Sequence, residues 1–107
     1  MGRMSRQKGK RGELELAGIL KRAGFDARRG VQYKGGEDSP DVVGLPGLHI
    51  EVKRVEALRL WEAMAQAVND CGPEEIPAVF HRKNGKPWVV ILELDDFIKL
   101  YKGRINK

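Results

Sequence analysis

Ser39-Pro40-Asp41-Val42-Val43-Gly44-Leu45-Pro46-Gly47-Leu48-His49-Ile50-Glu51-Val52-Lys53 is the most informative stretch of the chain. Leu48, Ile50 and Val52 alternate with His49, Glu51 and Lys53, and on a strand side chains two apart share a face. One face therefore enters a core while the other presents an imidazole, a carboxylate and an ammonium. Pro46-Gly47 suits a tight turn, so residues 41–45 and 48–54 are expected to pair as an antiparallel hairpin. With the turn centred on Pro46-Gly47, Asp41 pairs near residue 52, within one position of both Glu51 and Lys53.

Upstream, residues 13–23 read as a helix whose Leu16, Ala17, Leu20 and Ala23 share one face. Gly24 closes it, and residues 1–8 form a basic, mobile arm. Residues 25–31 are a strand, and residues 32–39 a polar, glycine-bearing loop. Downstream, Leu58, Trp61, Ala65 and Val68 predict a helix over residues 55–70, stopped by Gly72-Pro73. Asn84-Gly85 is a hairpin signal between strands at residues 77–83 and 86–93. Asp95 is the expected N-cap of a last helix, frayed from Gly103 onward. The order α-β-β-β-α-β-β-α implies an α/β (α+β) fold, a mixed central sheet flanked by helices.

The length, 107 residues, allows one domain spanning residues 1–107. The hydrophobic share of 41% argues against wholesale disorder. No apolar run is long enough to span a bilayer, and no apolar signal stretch follows the basic N-terminus, so a cytoplasmic, intracellular setting is expected. The single cysteine, Cys71, excludes an internal disulfide and a Cys-rich zinc site. Nothing near it in sequence resembles an activating base, and it reads as a half-buried small residue. A net charge of +5 points to an anionic partner, nucleic acid first. The basic residues cluster around Arg3, Arg6, Lys8, Lys10 and Arg11 and again around Lys21, Arg22, Arg28, Arg29 and Lys34.

Two carboxylates brought close repel unless a cation sits between them. A hard divalent ion with oxygen ligands meets that need, and Mg²⁺ typically binds through one or two carboxylates plus substrate phosphate. A lysine beside it can position or deprotonate a water and offset charge developing on phosphorus. Asp41, Glu51 and Lys53 thus suit phosphodiester hydrolysis. Taken alone, Glu-x-Lys would be an ordinary surface pair.

Ser39-Pro40-Asp41 followed by Glu51-Val52-Lys53 resembles the PD-(D/E)xK nuclease signature. Lys8-Gly9-Lys10-Arg11-Gly12-Glu13-Leu14-Glu15-Leu16 is similar to the opening helix of archaeal-type Holliday junction resolvases, to which small phage proteins are related. The resemblance implies a restriction-endonuclease-like fold and a homodimer cutting four-way DNA junctions in recombination and repair. It implies Mg²⁺, replaceable by Mn²⁺, held by Asp41, Glu51, the Val52 carbonyl and Glu13, with Lys53 acting on water. Glu15 is the rival to Glu13 in this helix. Ser39 corresponds to a loop serine near the scissile phosphate, although Glu37-Asp38 departs from the family pattern there. Gln66 is either a polar residue facing the site or an exposed helix glutamine.

His49 either touches DNA or lies beneath a loop, and His81 is a plain strand residue. Arg6, Lys8, Lys10, Arg11, Arg28, Arg29, Lys34 and Arg54 are the expected DNA contacts. Trp61 and Trp88 are core or dimer-interface aromatics, and Met64 and Val79 are further interface candidates. The alternatives are a nicking or restriction-like endonuclease on duplex DNA, or a catalytically silent DNA-binding module of the same fold. An RNA-binding or membrane-surface protein would show an aromatic stacking sheet or an amphipathic basic helix, and neither is present.

Overall fold

In the computed structural model, residues 2–30 and 41–105 are described, with side chains at residues 9–30 and 41–104. Ser39, Lys34, the 32–39 loop and the side chains of Arg6 and Lys8 lie outside them. The described residues form α1 (Gly2–Arg22), β1 (Arg28–Arg29), β2 (Val42–Val43), β3 (Leu48–Lys53), α2 (Leu60–Asp70), β4 (Ile76–His81), β5 (Val89–Ile91) and α3 (Leu94–Ile105). The strands make one sheet in the order β1-β2-β3-β4-β5. Only β3 and β4 run parallel, with α2 as the crossover between them. This is the mixed, helix-flanked sheet and the element order that the sequence predicts, compatible with a restriction-endonuclease-like fold.

The alternation in β3 divides the molecule. Ile50 and Val52 join Leu16, Ala17, Val42 and Phe80 under α1. On the opposite side, Val79 of β4 packs with Ala63, Met64 and Ala67 of α2. Full burial of an aliphatic side chain of this size contributes about 1.5–3 kcal/mol, so these two small cores hold both helices on the sheet. Met64 and Val79 are consumed by the second core and do not reach the surface. Trp61 is 80% exposed and enters neither core, and Ala65 and Val68 of the expected stripe are exposed as well, so α2 packs through Ala63, Met64 and Ala67 instead.

The hairpin register differs by one residue from the sequence reading. Leu48 N donates to Leu45 O across Pro46-Gly47, as expected for the turn. Yet Val42 pairs with Ile50 rather than Glu51, so the β2 side carries one extra residue. Gly44, at φ 115°, accommodates it in the manner of a glycine bulge. A Cβ there would collide with the Asp26 carbonyl oxygen and Ala27 Cα, so the bulge also lets β2 lie close to the chain entering β1. Asp41, one position before Val42, consequently faces Glu51.

Other boundaries move for tertiary reasons. α1 begins at Gly2, not residue 13. Glycines and the lack of an apolar stripe conceal this first half from a propensity argument. Gly12 is buried where α1 crosses β3, and a Cβ there would stand 2.6 Å from Arg54 Cβ. α2 starts at Leu60 rather than residue 55 because residues 54–56 are tied to the β4–β5 hairpin tip. Arg54 Nη2 donates to Asn84 Oδ1 at 2.9 Å, and Asn84 N donates to Glu56 Oε2 at 2.9 Å. The strands are shorter than the patterns suggest, β1 most of all. α3 starts at Leu94, which places Asp95 in its first turn rather than at the cap, and it continues through Gly103 to Ile105. Among the described residues no helix is long and apolar enough to cross a membrane.

Candidate active site

The site lies where β2 ends against β3. Asp41 N donates to Ile50 O at 2.9 Å, and Asp41 Oδ2 accepts from Val52 N at 2.7 Å. Residues 50 and 52 therefore direct their backbone polar groups toward Asp41. Lys53 directs its carbonyl the other way, to Arg82 N and His81 Nδ1 of the β4 side. Strand alternation thus sends the Val52 carbonyl to the Asp41 side. The Asp41 carboxylate lies within hydrogen-bonding reach of Glu51. Two residues along, Lys53 Nζ donates to Gln66 Oε1 of α2 at 3.0 Å, so Gln66, though exposed, reaches Lys53.

Glu13 approaches from α1, near enough for its charge to be felt by Asp41, but Arg29 of β1 holds it: Nε donates to Glu13 Oε1 at 2.6 Å. Glu15 points elsewhere, accepting from Arg82 and, at 2.8 Å, from Trp88 Nε1. Glu15 is thereby a clasp between α1 and the β4–β5 hairpin. Trp88, half-buried against the first core, is anchored by it. Arg54 is largely occupied within the chain, donating to Arg82 O and Asn84 and lying 3.8 Å from Glu56. Lys10, Arg11 and Arg28 are exposed.

His49 does not reach the surface. It is 1% exposed, Glu51 beside it is 2% exposed, and His49 Nε2 donates to Glu51 Oε1 at 2.8 Å. Among the described residues, the three-membered group with donor atoms within 4.8 Å of one another is His49, Glu51 and Asp70, not Glu13, Asp41 and Glu51. Both arrangements share Glu51. The His49–Asp70 side is shut beneath α2, whereas Asp41, on the other side of Glu51, is only half-buried.

Burial pushes the Asp41 carboxyl up to about 6. The Val52 amide works against this, Glu51 adds to it and Lys53 opposes it. Glu13 is also raised, first by burial; Arg29 opposes the shift and the charge of Asp41 adds to it. Glu15 goes the other way: its slight burial is outweighed by the hydrogen bonds from Arg82 and Trp88. Asp41, Glu51 and the Val52 carbonyl, where β2 meets β3, are oxygen donors of the kind that a hard divalent cation takes, with Glu13 near them but held by Arg29.

A family model described as archaeal Holliday junction resolvase (Hjc) matches residues 4–92. The chain belongs to the Hjc family. No curated protein and no solved structure matches it. Membership in the Hjc family brings junction-resolving nuclease activity on DNA and the need for a divalent metal, and the match spans every element described above except α3.

Within this resolvase-family chain, sequence reasoning overlooked two ties. The Glu13–Arg29 pair joins residues sixteen apart on different elements, and no local pattern announces it. The His49–Glu51 bond was accessible in principle, since i and i+2 share a strand face. Burial of that face was the unknown. Arg59 was also missed: it lines an open pocket with Lys53, Leu58, Glu62 and Gln66 beside the site.

Proposed function

We propose that this protein is a Mg²⁺-dependent, structure-selective endonuclease that resolves four-way DNA junctions as a homodimer. The observation that carries the reading is the meeting of Asp41 and Glu51 at the end of a rigid strand, with Lys53 two residues further on. Asp41, Glu51 and the Val52 carbonyl would hold the ion, with Glu13 beside them once it leaves Arg29. A bound Mg²⁺ supplies polarisation of the phosphoryl oxygen and a lowered pKa for its water. Mn²⁺ substitutes for it.

Lys53 stands where it can orient the attacking water and offset the charge that grows on the phosphoryl oxygens. Gln66 fixes the Lys53 ammonium from α2. Hydrolysis forms a bond from the water oxygen to phosphorus as the ester bond to one deoxyribose oxygen breaks, and the leaving oxygen takes up a proton. Lys10, Arg11 and Arg28 give phosphate contacts that register the duplex arms, with Arg6, Lys8 and Lys34 in supporting roles. Arg29 joins them only when released from Glu13. Ser39, outside the described residues, is the serine that the family resemblance would bring to the scissile phosphate.

Two symmetric nicks across a junction need two sites related by a two-fold axis, which a C₂ dimer supplies. Incubation with a labelled four-way junction and a matched linear duplex, with and without Mg²⁺, tests the reading. Junction cleavage that requires Mg²⁺ is expected. Equal cutting of duplex would instead favour the nicking or restriction-like alternative, and binding without cutting the silent module.

A further inference from the structure

His49 has no part in the hydrolysis just described, although it is among the most deeply buried polar groups described. Its Nε2 donates to Glu51 Oε1 at 2.8 Å. Its Nδ1 is buried without a hydrogen-bond partner, the nearest charged group being Glu75 Oε1 at 3.9 Å. Glu75 is itself committed to Gly72 N at 2.8 Å. The bond to Glu51 is therefore the only hydrogen bond that the ring makes among the described residues. A buried polar group with an orphaned atom calls for a reason, because an apolar strand residue would pack here without leaving one.

We propose that His49 is a positioning residue that holds the Glu51 carboxylate for the metal. By taking a lone pair of Oε1 from beneath, the imidazole fixes the carboxylate plane, and Oε2 is left for the cation on the Asp41 side. The Asp70 carboxylate of α2 stands beside the pair. The histidine thus plays toward a carboxylate ligand the part that outer partners play toward metal-bound residues generally, where their loss weakens metal binding by 10–100-fold. This inference rests on the proposed metal-dependent reading.

Comparison of His49→Gln with His49→Asn in the full chain tests it. The glutamine amide nitrogen reaches the place of Nε2 and keeps the donor, whereas the shorter asparagine amide falls near Nδ1 and loses it. Both are polar and buried, so a merely structural role would affect their thermal unfolding alike. Mn²⁺ binding without DNA, followed by calorimetry, is expected to weaken about 10-fold or more in His49→Asn and to stay within about threefold of the parent in His49→Gln. Junction affinity should not change in either.

Equal Mn²⁺ affinity in the two variants overturns the proposal, as does failure of His49→Gln to fold, since it keeps the required donor. A second Mn²⁺ equivalent lost in Asp70→Asn also overturns it, by making the buried group a metal site in its own right. A parent protein that neither binds Mn²⁺ nor cuts junctions would sink the functional reading itself, which is a distinct result.

Discussion

Asp41 accepts the amide proton of Val52 at 2.7 Å, so a carboxylate at the start of one strand is fixed by the backbone inside the Glu51-Val52-Lys53 motif. The contact makes the acid and the motif one rigid unit, and it depends on the glycine bulge at Gly44.

Removal of either acid in that unit should stop the chemistry while sparing recognition. Asp41→Ala and Glu51→Ala are expected to lower single-turnover junction cleavage by at least about 10³-fold, equivalent to roughly 4 kcal/mol of transition-state stabilisation. Gel-shift affinity for the junction should stay within a few-fold. Retained cutting by Asp41→Ala would exclude it from the site.

The raised carboxyl of Asp41 predicts an unusual pH response in the metal-free protein. With a folded-state pKa of about 6 against an ordinary 3.8, the folded protein binds more protons than the unfolded chain between those values. The contribution of Asp41 to stability therefore increases as pH falls from about 7 through 6 toward 4. Urea unfolding in EDTA should show this rise, flattened in Asp41→Asn. Because the cation needs the ionised carboxylate, half-saturation by Mg²⁺ should move to higher concentration below about pH 6. An identical pH slope in parent and variant would contradict the assignment.

Glu13 and Glu15 should separate cleanly. Glu15→Ala breaks the clasp to Arg82 and Trp88, and a loss of about 1–3 kcal/mol in chemical unfolding is expected, with a change in Trp88 fluorescence. Cleavage by the folded fraction should survive. Glu13→Ala should fold normally and cut slowly, with a smaller loss of metal affinity than Asp41→Ala, because Arg29 already draws Glu13 aside. The reverse pattern would make Glu15 the catalytic acid.

Gly12→Ala adds a methyl that meets Arg54 Cβ at 2.6 Å. Backbone atoms must shift, at about 1–3 kcal/mol, and α1 carries Glu13 with it. Thermal unfolding and cleavage should both fall, while Gly9→Ala, which meets nothing, should leave cleavage unchanged.

Lys10→Ala and Arg11→Ala should weaken junction binding and reduce the salt slope by about 0.9 for each phosphate that the variant no longer neutralises. Mn²⁺ affinity should not move. A slope equal to that of the parent would remove this part of α1 from the interface.

Much of this molecule is local and could be read from the chain. Alternation over residues 48–53, a Pro-Gly turn, an Asn-Gly hairpin and helical spacing state which elements exist, in what order, and which side chains of β3 share a face, but not which face α2 buries: Ala63, Met64 and Ala67 rather than Trp61, Ala65 and Val68. The meeting of Asp41, Glu51 and Lys53 followed within one position. What the chain could not disclose were relations settled between distant segments. The Gly44 bulge sets the register where Asp26 and Ala27, leading into β1, press against it; residues 54–56 stay out of α2 because Asn84 holds them; Glu13 turns to Arg29, and His49 is sealed beneath α2. Each outcome is a competition among partners far apart in the chain, won by geometry that exists only after the sheet has formed.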